Sequence, residues 1–114
     1  MEVEHLFAGI PVRNRDEAVA WYEQLTGRAP DLVPNEREAA WRLTPTSWIY
    51  IVADPPRAGS ALHTVLVDDL DGWVAALARR GIAPGAIEVI APAVRQSLLT
   101  DPEGNRLKLG QVCR

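Results

Sequence analysis

The stretch TDPEGNRLKL, residues 100–109, contains the turn signal around which the rest of the chain can be organised. Asp101 can accept hydrogen bonds from backbone groups two residues further on, and Pro102 presets φ for the second position of a turn. Gly104 and Asn105 tolerate the left-handed conformation that the chain needs to re-enter a strand. The stretch therefore predicts a hairpin whose outgoing strand begins RLKL.

Outward from this hairpin, two segments repeat apolar residues at helical spacing: NRDEAVAWYEQLTG, residues 14–27, and DDLDGWVAALARRG, residues 68–81. Their apolar positions are Ala18, Trp21, Tyr22 and Leu25 in the first and Leu70, Trp73, Val74, Leu77 and Ala78 in the second. The first opens with an asparagine and a glutamate placed for a capping box, and the second opens with aspartates. Each ends at a glycine, so the sequence predicts two amphipathic helices.

Each predicted helix follows one strand and is followed by the pair AP and three further strands. These later strands are DLVP (31–34), EAAWRLT (38–44), SWIYIVAD (47–54), AIEVIAP (86–92), VRQSLLT (94–100) and RLKLGQV (106–112). A shift of 55 residues places Val12 on Val67 and Val19 on Val74. We interpret the pattern as a duplication within one α+β domain, 1–114, with repeats 1–53 and 60–114 joined by a proline-containing linker, 54–59.

The composition is that of an ordinary globular protein, and the net charge limits the kinds of partner that can be expected. A chain of 114 residues forms one domain, and its net charge of −3 gives no electrostatic reason to expect nucleic acid or an anionic membrane as a partner. The single cysteine cannot form an internal disulfide, so we expect a cytoplasmic location. No apolar run reaches the length of a membrane span.

A duplicated βαβββ unit with these motifs resembles the vicinal-oxygen-chelate superfamily, which includes glyoxalases, bleomycin-resistance proteins and extradiol dioxygenases. The resemblance lies in PVRNRDEAVAWYEQLTG (11–27), VDDLDGWVAALARRGI (67–82) and DPEGN (101–105). It implies a cupped mixed β-sheet with a helix packed behind each half. It also implies a homodimer, either side by side or domain-swapped.

Alternation along the strands predicts which side chains face the cup. The core face would hold Leu6, Ala8, Ile10, Val12, Ile49, Ile51, Val65, Val67, Leu107 and Leu109. The cup face would hold His5, Phe7, Gly9, Pro11, Trp48, Tyr50, Val52, Leu62, Thr64, Leu66, Arg106, Lys108 and Gly110.

Enzymes of the superfamily hold a divalent metal with side chains from four strands. Alignment on the shared motifs places those positions at Phe7, Tyr50, Leu62 and Lys108. Phenylalanine and leucine have no donor atom, a protonated lysine has no free lone pair, and a neutral phenol is a poor ligand. We therefore expect no metal, no cofactor and no catalytic residue.

The resemblance then implies a metal-free binding protein of the bleomycin-resistance branch, which sequesters an aromatic or peptide-like molecule and so confers antibiotic resistance. Aromatic and apolar residues would provide the surface, and Arg106 and Lys108 could receive an anionic group. The candidate ligand-binding residues are Phe7, Trp41, Trp48, Tyr50, Leu62, Thr64, Leu66, Arg106 and Lys108.

Two other hypotheses remain open at this point. A lyase, isomerase or dioxygenase could use a shifted metal site, with ligands drawn from His5, His63, Glu2 and Glu4. Alternatively, the cup could be filled by its own side chains or closed by the dimer partner, which would make the domain an interaction module.

Overall fold

The structure, a computed structural model, describes residues 1–113, and its elements follow the predicted order closely. They are β1 (Leu6–Val12), α1 (Arg15–Thr26), β2 (Glu38–Thr44), β3 (Ser47–Ala53), β4 (Leu62–Leu66), α2 (Leu70–Arg79), β5 (Glu88–Ala91), β6 (Val94–Thr100) and β7 (Arg106–Val112), with a short 3-10 turn at Pro55–Arg57. The predicted α+β class is confirmed. Within residues 1–113, no helix is long and apolar enough to cross a membrane.

Hydrogen bonding divides the strands into two mixed sheets, one for each half of the chain. The first has the order β1-β3-β2 and the second the order β4-β7-β6-β5. The pairs β1–β3 and β4–β7 are parallel, and the remaining pairs are antiparallel. Each sheet therefore has the same central arrangement, a parallel pair next to an antiparallel one.

The predicted strand at residues 31–34 does not form. Leu32 makes only an isolated bridge to Ala40, and no further pairing extends it. Pro30 and Pro34 bracket this stretch, and proline has no N–H to donate to a ladder. The first sheet consequently has three strands where the second has four, and the segment before β2 is a loop.

Local capping signals set the helix boundaries as predicted. Asn14 accepts a hydrogen bond from the backbone N–H of Glu17 at the start of α1, and Asp69 does the same for Gly72 at the start of α2. Gly27 ends α1 in the left-handed region, with φ of 76°.

One continuous core lies between the helices and the sheets of both halves. Its buried members are Ile10, Val12, Ala18, Tyr22, Leu25, Ala39, Trp41, Ile49, Ile51, Leu70, Leu77, Ile82, Leu99, Leu107 and Leu109. The prediction that Leu6 belongs to this core is wrong, since 65% of the residue is exposed. Leu6 is the first residue of β1 and pairs with Ser47 at the end of the sheet, beyond the helix.

The DPEGN turn joins the two halves through buried polar groups. Asp101 accepts hydrogen bonds from the backbone N–H groups of Glu103 and Asn105, as the turn requires, and its second oxygen accepts one from the Tyr22 hydroxyl, 2.9 Å away. Asn105 donates to the carbonyl oxygen of Pro11 and accepts from the N–H of Ala61, both at 2.9 Å. The turn therefore holds β1, α1 and β4 together.

The two helix ends also meet across the halves. Arg80 donates through Nη1 to the carbonyl oxygen of Leu25, 3.0 Å away, while Gln24 donates to the carbonyl oxygen of Arg80 at 3.2 Å. A cation beside the carboxyl end of α1 is favoured by the helix dipole.

The edge strands β4 and β1 of the two sheets are also in contact, because His63 Nε2 lies 2.9 Å from the carbonyl oxygen of Gly9.

Candidate functional site

The open face of the first sheet carries aromatic residues in rows across the strands. One row is Phe7 on β1, Trp48 on β3 and Arg42 on β2. The next row is Gly9, Tyr50 and Ala40 on the same three strands. Large and small side chains thus alternate along β1 and β2, which leaves space beside Tyr50.

Within the first row, Trp48 is held by both of its neighbours. Its ring stacks on Phe7, with centroids 5.2 Å apart and planes inclined by 13°. The guanidinium carbon of Arg42 lies 5.4 Å from the Trp48 centroid, in cation–π contact from the neighbouring strand on the other side. The indole N–H also donates to Nδ1 of His5, 3.3 Å away. Trp48 therefore supports the aromatic face rather than presenting a free ring surface.

Tyr50 lies across β1 because residue 9 is glycine. A Cβ atom at Gly9 would be 2.8 Å from the Tyr50 hydroxyl oxygen, closer than nonbonded atoms tolerate. The Tyr50 ring meets Phe7 edge to face, at a centroid distance of 6.4 Å. These two rings form one wall of a cavity.

That cavity has a volume of about 270 Å³ and lies between the aromatic wall and the loop before β2. It is lined by Phe7, Leu32, Pro34, Glu38, Ala40 and Tyr50. Leu32, Pro34, Glu38 and Ala40 are not among the candidate residues. Leu32 and Pro34 lie in the stretch 31–34 that the sequence predicts to be a strand, and Glu38 and Ala40 in the predicted strand 38–44. The two prolines around Leu32 were the available signal that this stretch would form a wall instead.

The open face of the second sheet is less aromatic and more polar. Leu62 and Leu66 on β4 are 47% and 62% exposed, and Thr64 between them is exposed as well. On β7, Arg106 is exposed and Lys108 is half-buried. Lys108 lines a second cavity, of about 460 Å³, together with Ala83, Gly85, Ala86, Glu88, Gln96, Leu98 and Thr100. Of the candidate residues, Phe7 and Tyr50 thus line a cavity on the first sheet, and Lys108 lines a different cavity on the second.

The prediction that Trp41 faces the cup is wrong. The residue is fully buried in the core, and its indole N–H donates to the carbonyl oxygen of Arg28, 3.0 Å away. Its ring centroid is 6.1 Å from that of Tyr22 on α1. Because Ala40 lines the cavity, alternation along β2 directs Trp41 toward the helix.

The four positions at which the resemblance implies metal ligands do not fit a divalent ion. Phe7 and Leu62 offer no donor atom, the Tyr50 hydroxyl is a weak ligand when neutral, and Lys108 carries a positive charge. Among residues 1–113, no three histidine, cysteine, aspartate or glutamate side chains are grouped closely enough to hold a metal. The two histidines suggested for a shifted site have different partners: His63 contacts Gly9 and His5 contacts Trp48.

Two βα halves with their helices on one side and open sheet faces on the other define the architecture of the vicinal-oxygen-chelate superfamily. Comparison with known proteins agrees with this class. The family profile described as the glyoxalase-like domain matches residues 8–110, which is nearly the whole chain. The chain therefore belongs to the glyoxalase-like family.

Several solved structures share this fold over almost their full length. The chain is 38% identical to a glyoxalase/bleomycin resistance protein from Catenulispora acidiphila DSM 44928, with a TM-score of 0.89 and coverage of 95% of this chain and 97% of that one. TnmS3, an antibiotic-binding protein from Streptomyces sp. CB03234, is 24% identical, with a TM-score of 0.76 and coverage of 98% and 96%.

A bleomycin-binding protein complexed with bleomycin is 22% identical, with a TM-score of 0.77 and coverage of 94% of this chain and 97% of that one. At identities below 25%, these last two likenesses concern the fold alone. No curated protein sequence matched the chain.

Proposed function

We propose that this protein binds a small aromatic or peptide-like molecule without a metal and without converting it. The observation that carries the proposal is that Phe7 and Tyr50, two of the positions where the resemblance implies metal ligands, instead form an aromatic wall of a cavity of about 270 Å³. Flat rings beside a few polar groups suit planar organic ligands. Sequestration of such a molecule is a basis for antibiotic resistance.

Relatives of the same fold support this class of ligand. TnmS3 is an antibiotic-binding protein, and another fold neighbour was solved in complex with bleomycin. Both proteins cover nearly the whole of this chain, so the likeness includes both halves and their open faces. We extend to this chain the general class, a small organic ligand, and not the particular molecule.

In this proposal the two sheets contribute different chemistry to the cup. Phe7 and Tyr50 contact the ligand directly, while Trp48 backs Phe7. Leu62, Thr64 and Leu66 add an apolar surface on the second sheet, where Arg106 and Lys108 are available to an anionic group.

We further propose that the working form is a homodimer located in the cytoplasm. Leu62 and Leu66 leave apolar surface uncovered along an edge strand, and Phe7 is 47% exposed on the other sheet. A second copy of the chain would cover such surface and deepen a shallow cup. The single cysteine, Cys113, is exposed and free, which suits a reducing compartment.

The proposal is tested by calorimetric titration of the purified protein with a panel of planar aromatic and peptide-like compounds. At least one compound should bind, and Phe7→Ala should weaken it about tenfold or more, because a buried aromatic contact is lost. Leu6→Ala is the matched control, since its side chain belongs to the other face of β1 and lies outside the cavity.

Two results would overturn the proposal. Near-stoichiometric metal in the purified protein, lost on substitution of His5 or His63, would favour an enzyme with a shifted site. Absence of binding across the whole panel would favour an interaction module whose cup its own side chains or its partner fill.

A further inference from the structure

We propose that the cavity on the first sheet selects ligands in which an apolar ring system carries a protonated amine, and that Glu38 is the residue that selects them. This inference rests on the proposed function and specifies the ligand class for that site. Its basis is the position, the hydrogen bonding and the charge of Glu38.

Glu38 lies at the start of β2, paired with Val52 on β3 and two residues before Ala40. It lines the cavity together with Tyr50, so its side chain is on the same face as the aromatic wall. A ring placed against Phe7 and Tyr50 would therefore have a carboxylate lining the same cavity. Leu32 and Pro34 supply the apolar surface on the loop side.

The hydrogen bonds around Glu38 fix one oxygen and leave the other available. Asn35 donates through Nδ2 to Oε2, at a distance of 2.8 Å. Among residues 1–113, Oε1 accepts no hydrogen bond from the protein. A bound ammonium group can donate to Oε1 without displacing Asn35.

The charge of Glu38 is not neutralised locally. In the part of the chain that the structure describes, no arginine, lysine or histidine nitrogen forms an ion pair with this carboxylate. Two arginines are close by: Arg15 donates through Nη2 to the backbone oxygen of Glu38, 3.3 Å away, and Arg37, the preceding residue, donates to the carbonyl oxygen of Ala53. The other residues lining the cavity are apolar apart from the Tyr50 hydroxyl. The cavity thus favours a cation over an anion.

The basic candidate residues of the proposed cup lie on the other sheet, whereas Arg42, on the open face of the first sheet, is in contact with Trp48 and outside the cavity lining. Arg106 and Lys108 are on β7, and Lys108 lines the second cavity. They are therefore positioned to receive an anionic part of a ligand, while the first cavity receives the cationic part.

Three probes share one ring system and differ in charge: the cation 1-naphthylmethylamine, the neutral alcohol 1-naphthylmethanol and the carboxylate 1-naphthaleneacetate. Each is titrated by calorimetry at pH 7. We expect the amine to bind about 10- to 100-fold more tightly than the alcohol, the range of a hydrogen bond to a charged group, and the acetate to bind most weakly. Glu38→Gln should abolish the preference for the amine over the alcohol, because glutamine keeps the bond to Asn35 without the charge. Glu36→Gln removes the same charge at an exposed position outside the cavity, and it should keep the preference.

The outcomes separate this inference from the proposed function. If the amine and the alcohol bind equally well, or if both substitutions reduce the preference alike, the selection by Glu38 is wrong and ligand binding stands. If none of the three probes binds, the selection by Glu38 is wrong, and the proposed function is then decided by the wider compound panel. If sedimentation shows that Glu38→Gln alters the association of chains, Glu38 belongs to an interface and the inference is overturned.

Discussion

Asn105 shows how one side chain can determine the arrangement of two halves. It is buried, and its amide bonds the Pro11 carbonyl of the first half and the Ala61 N–H at the start of the second. Asparagine is favoured at such a turn for local reasons, yet here its side chain serves partners far away in sequence. The DPEGN turn is therefore both a hairpin and the main polar connection between the halves.

Replacing Asn105 by alanine should lower the free energy of unfolding by about 1–3 kcal/mol, because two partly buried backbone groups would lose their partner. Urea denaturation followed by circular dichroism measures the change. Asn35→Ala is the control: it makes the same truncation at an exposed position, and we expect about 0.5 kcal/mol or less. Equal effects of the two substitutions would contradict the role of Asn105.

Tyr22 gives a prediction about alkaline pH. Burial raises the pKa of the Tyr22 hydroxyl far above its usual value of 10.0, and the neighbouring Asp101 carboxylate raises it further. Above pH 10.0 the unfolded chain therefore releases this proton while the folded chain keeps it. Stability that is fully present below that pH must decline above it, by about 1.4 kcal/mol per pH unit for this one group.

The comparison of the protein with Tyr22→Phe isolates this effect. At pH 8 the unmodified protein should be more stable by about 1–3 kcal/mol, owing to the hydrogen bond to Asp101. Between pH 10 and pH 11.5 that advantage should shrink, as measured by urea denaturation at each pH. A constant difference over this range would mean that the hydroxyl titrates in the folded state as it does in the unfolded chain.

Among the elements, the carboxyl ends of α1 and α2 depend on each other. Arg80 donates to carbonyl oxygens at the end of α1, and Gln24 donates back to the end of α2. Neither bond could be predicted from the sequence of a single helix, because each donor and its acceptor belong to different helix ends. The helix ends thus provide a second connection between the halves, separate from the DPEGN turn.

Arg80→Ala should cost about 1–2 kcal/mol of unfolding free energy and increase amide hydrogen exchange at residues 24–28, where α1 ends. Arg79→Ala is the matched control on the same helix, because Arg79 is exposed and has no such bond across the halves. It should change exchange in neither helix. An unchanged exchange rate in Arg80→Ala would show that packing alone holds this junction.

The loop before β2 has a comparable dependence on its surroundings. The sequence predicts a short strand at residues 31–34, but only Leu32 pairs with Ala40. The consequence for the site is direct, since this loop supplies Leu32 and Pro34 to the cavity. In the second half, β5 occupies the corresponding outer position, and the two cavities differ accordingly.

At the level of the whole molecule, Leu62 and Leu66 on β4 form one of the apolar surfaces that a single chain leaves uncovered. If a second copy covers it, as we propose, Leu66→Lys should shift the protein from dimer to monomer in sedimentation velocity. Its urea midpoint at low protein concentration should change little, because 62% of Leu66 is exposed in the single chain. Val89→Lys, on the outer strand β5, makes the same change elsewhere and should leave the dimer intact. A dimer that persists in Leu66→Lys would place the interface elsewhere.

Much of the fold was predictable because it depends on neighbours in sequence. Alternation along SWIYIVA places Ile49 and Ile51 in the core and Trp48 and Tyr50 on the open face, and the structure confirms this for the buried pair. The caps at Asn14 and Asp69 were predictable for the same reason. The spacing of apolar residues and the capping residues are properties of short segments, so they can be recognised without the rest of the chain.

The site was only partly predictable, because its composition depends on distant segments. Phe7 and Tyr50 follow from strand alternation, whereas Leu32 and Glu38 join them only through the path of the loop before β2. Trp41 was wrongly predicted to face the cup, because no local pattern showed that its neighbour Ala40 would line the cavity instead.

The sequence by itself thus determined the elements, their buried faces and the side-chain chemistry at the four strand positions. Only the tertiary structure decided that Phe7 and Tyr50 line one cavity and Lys108 another, and that Glu38 joins the first without an ion pair to any residue among 1–113. The physical reason is that close packing between segments far apart in the chain, and not the preference of any one segment, sets which side chains meet.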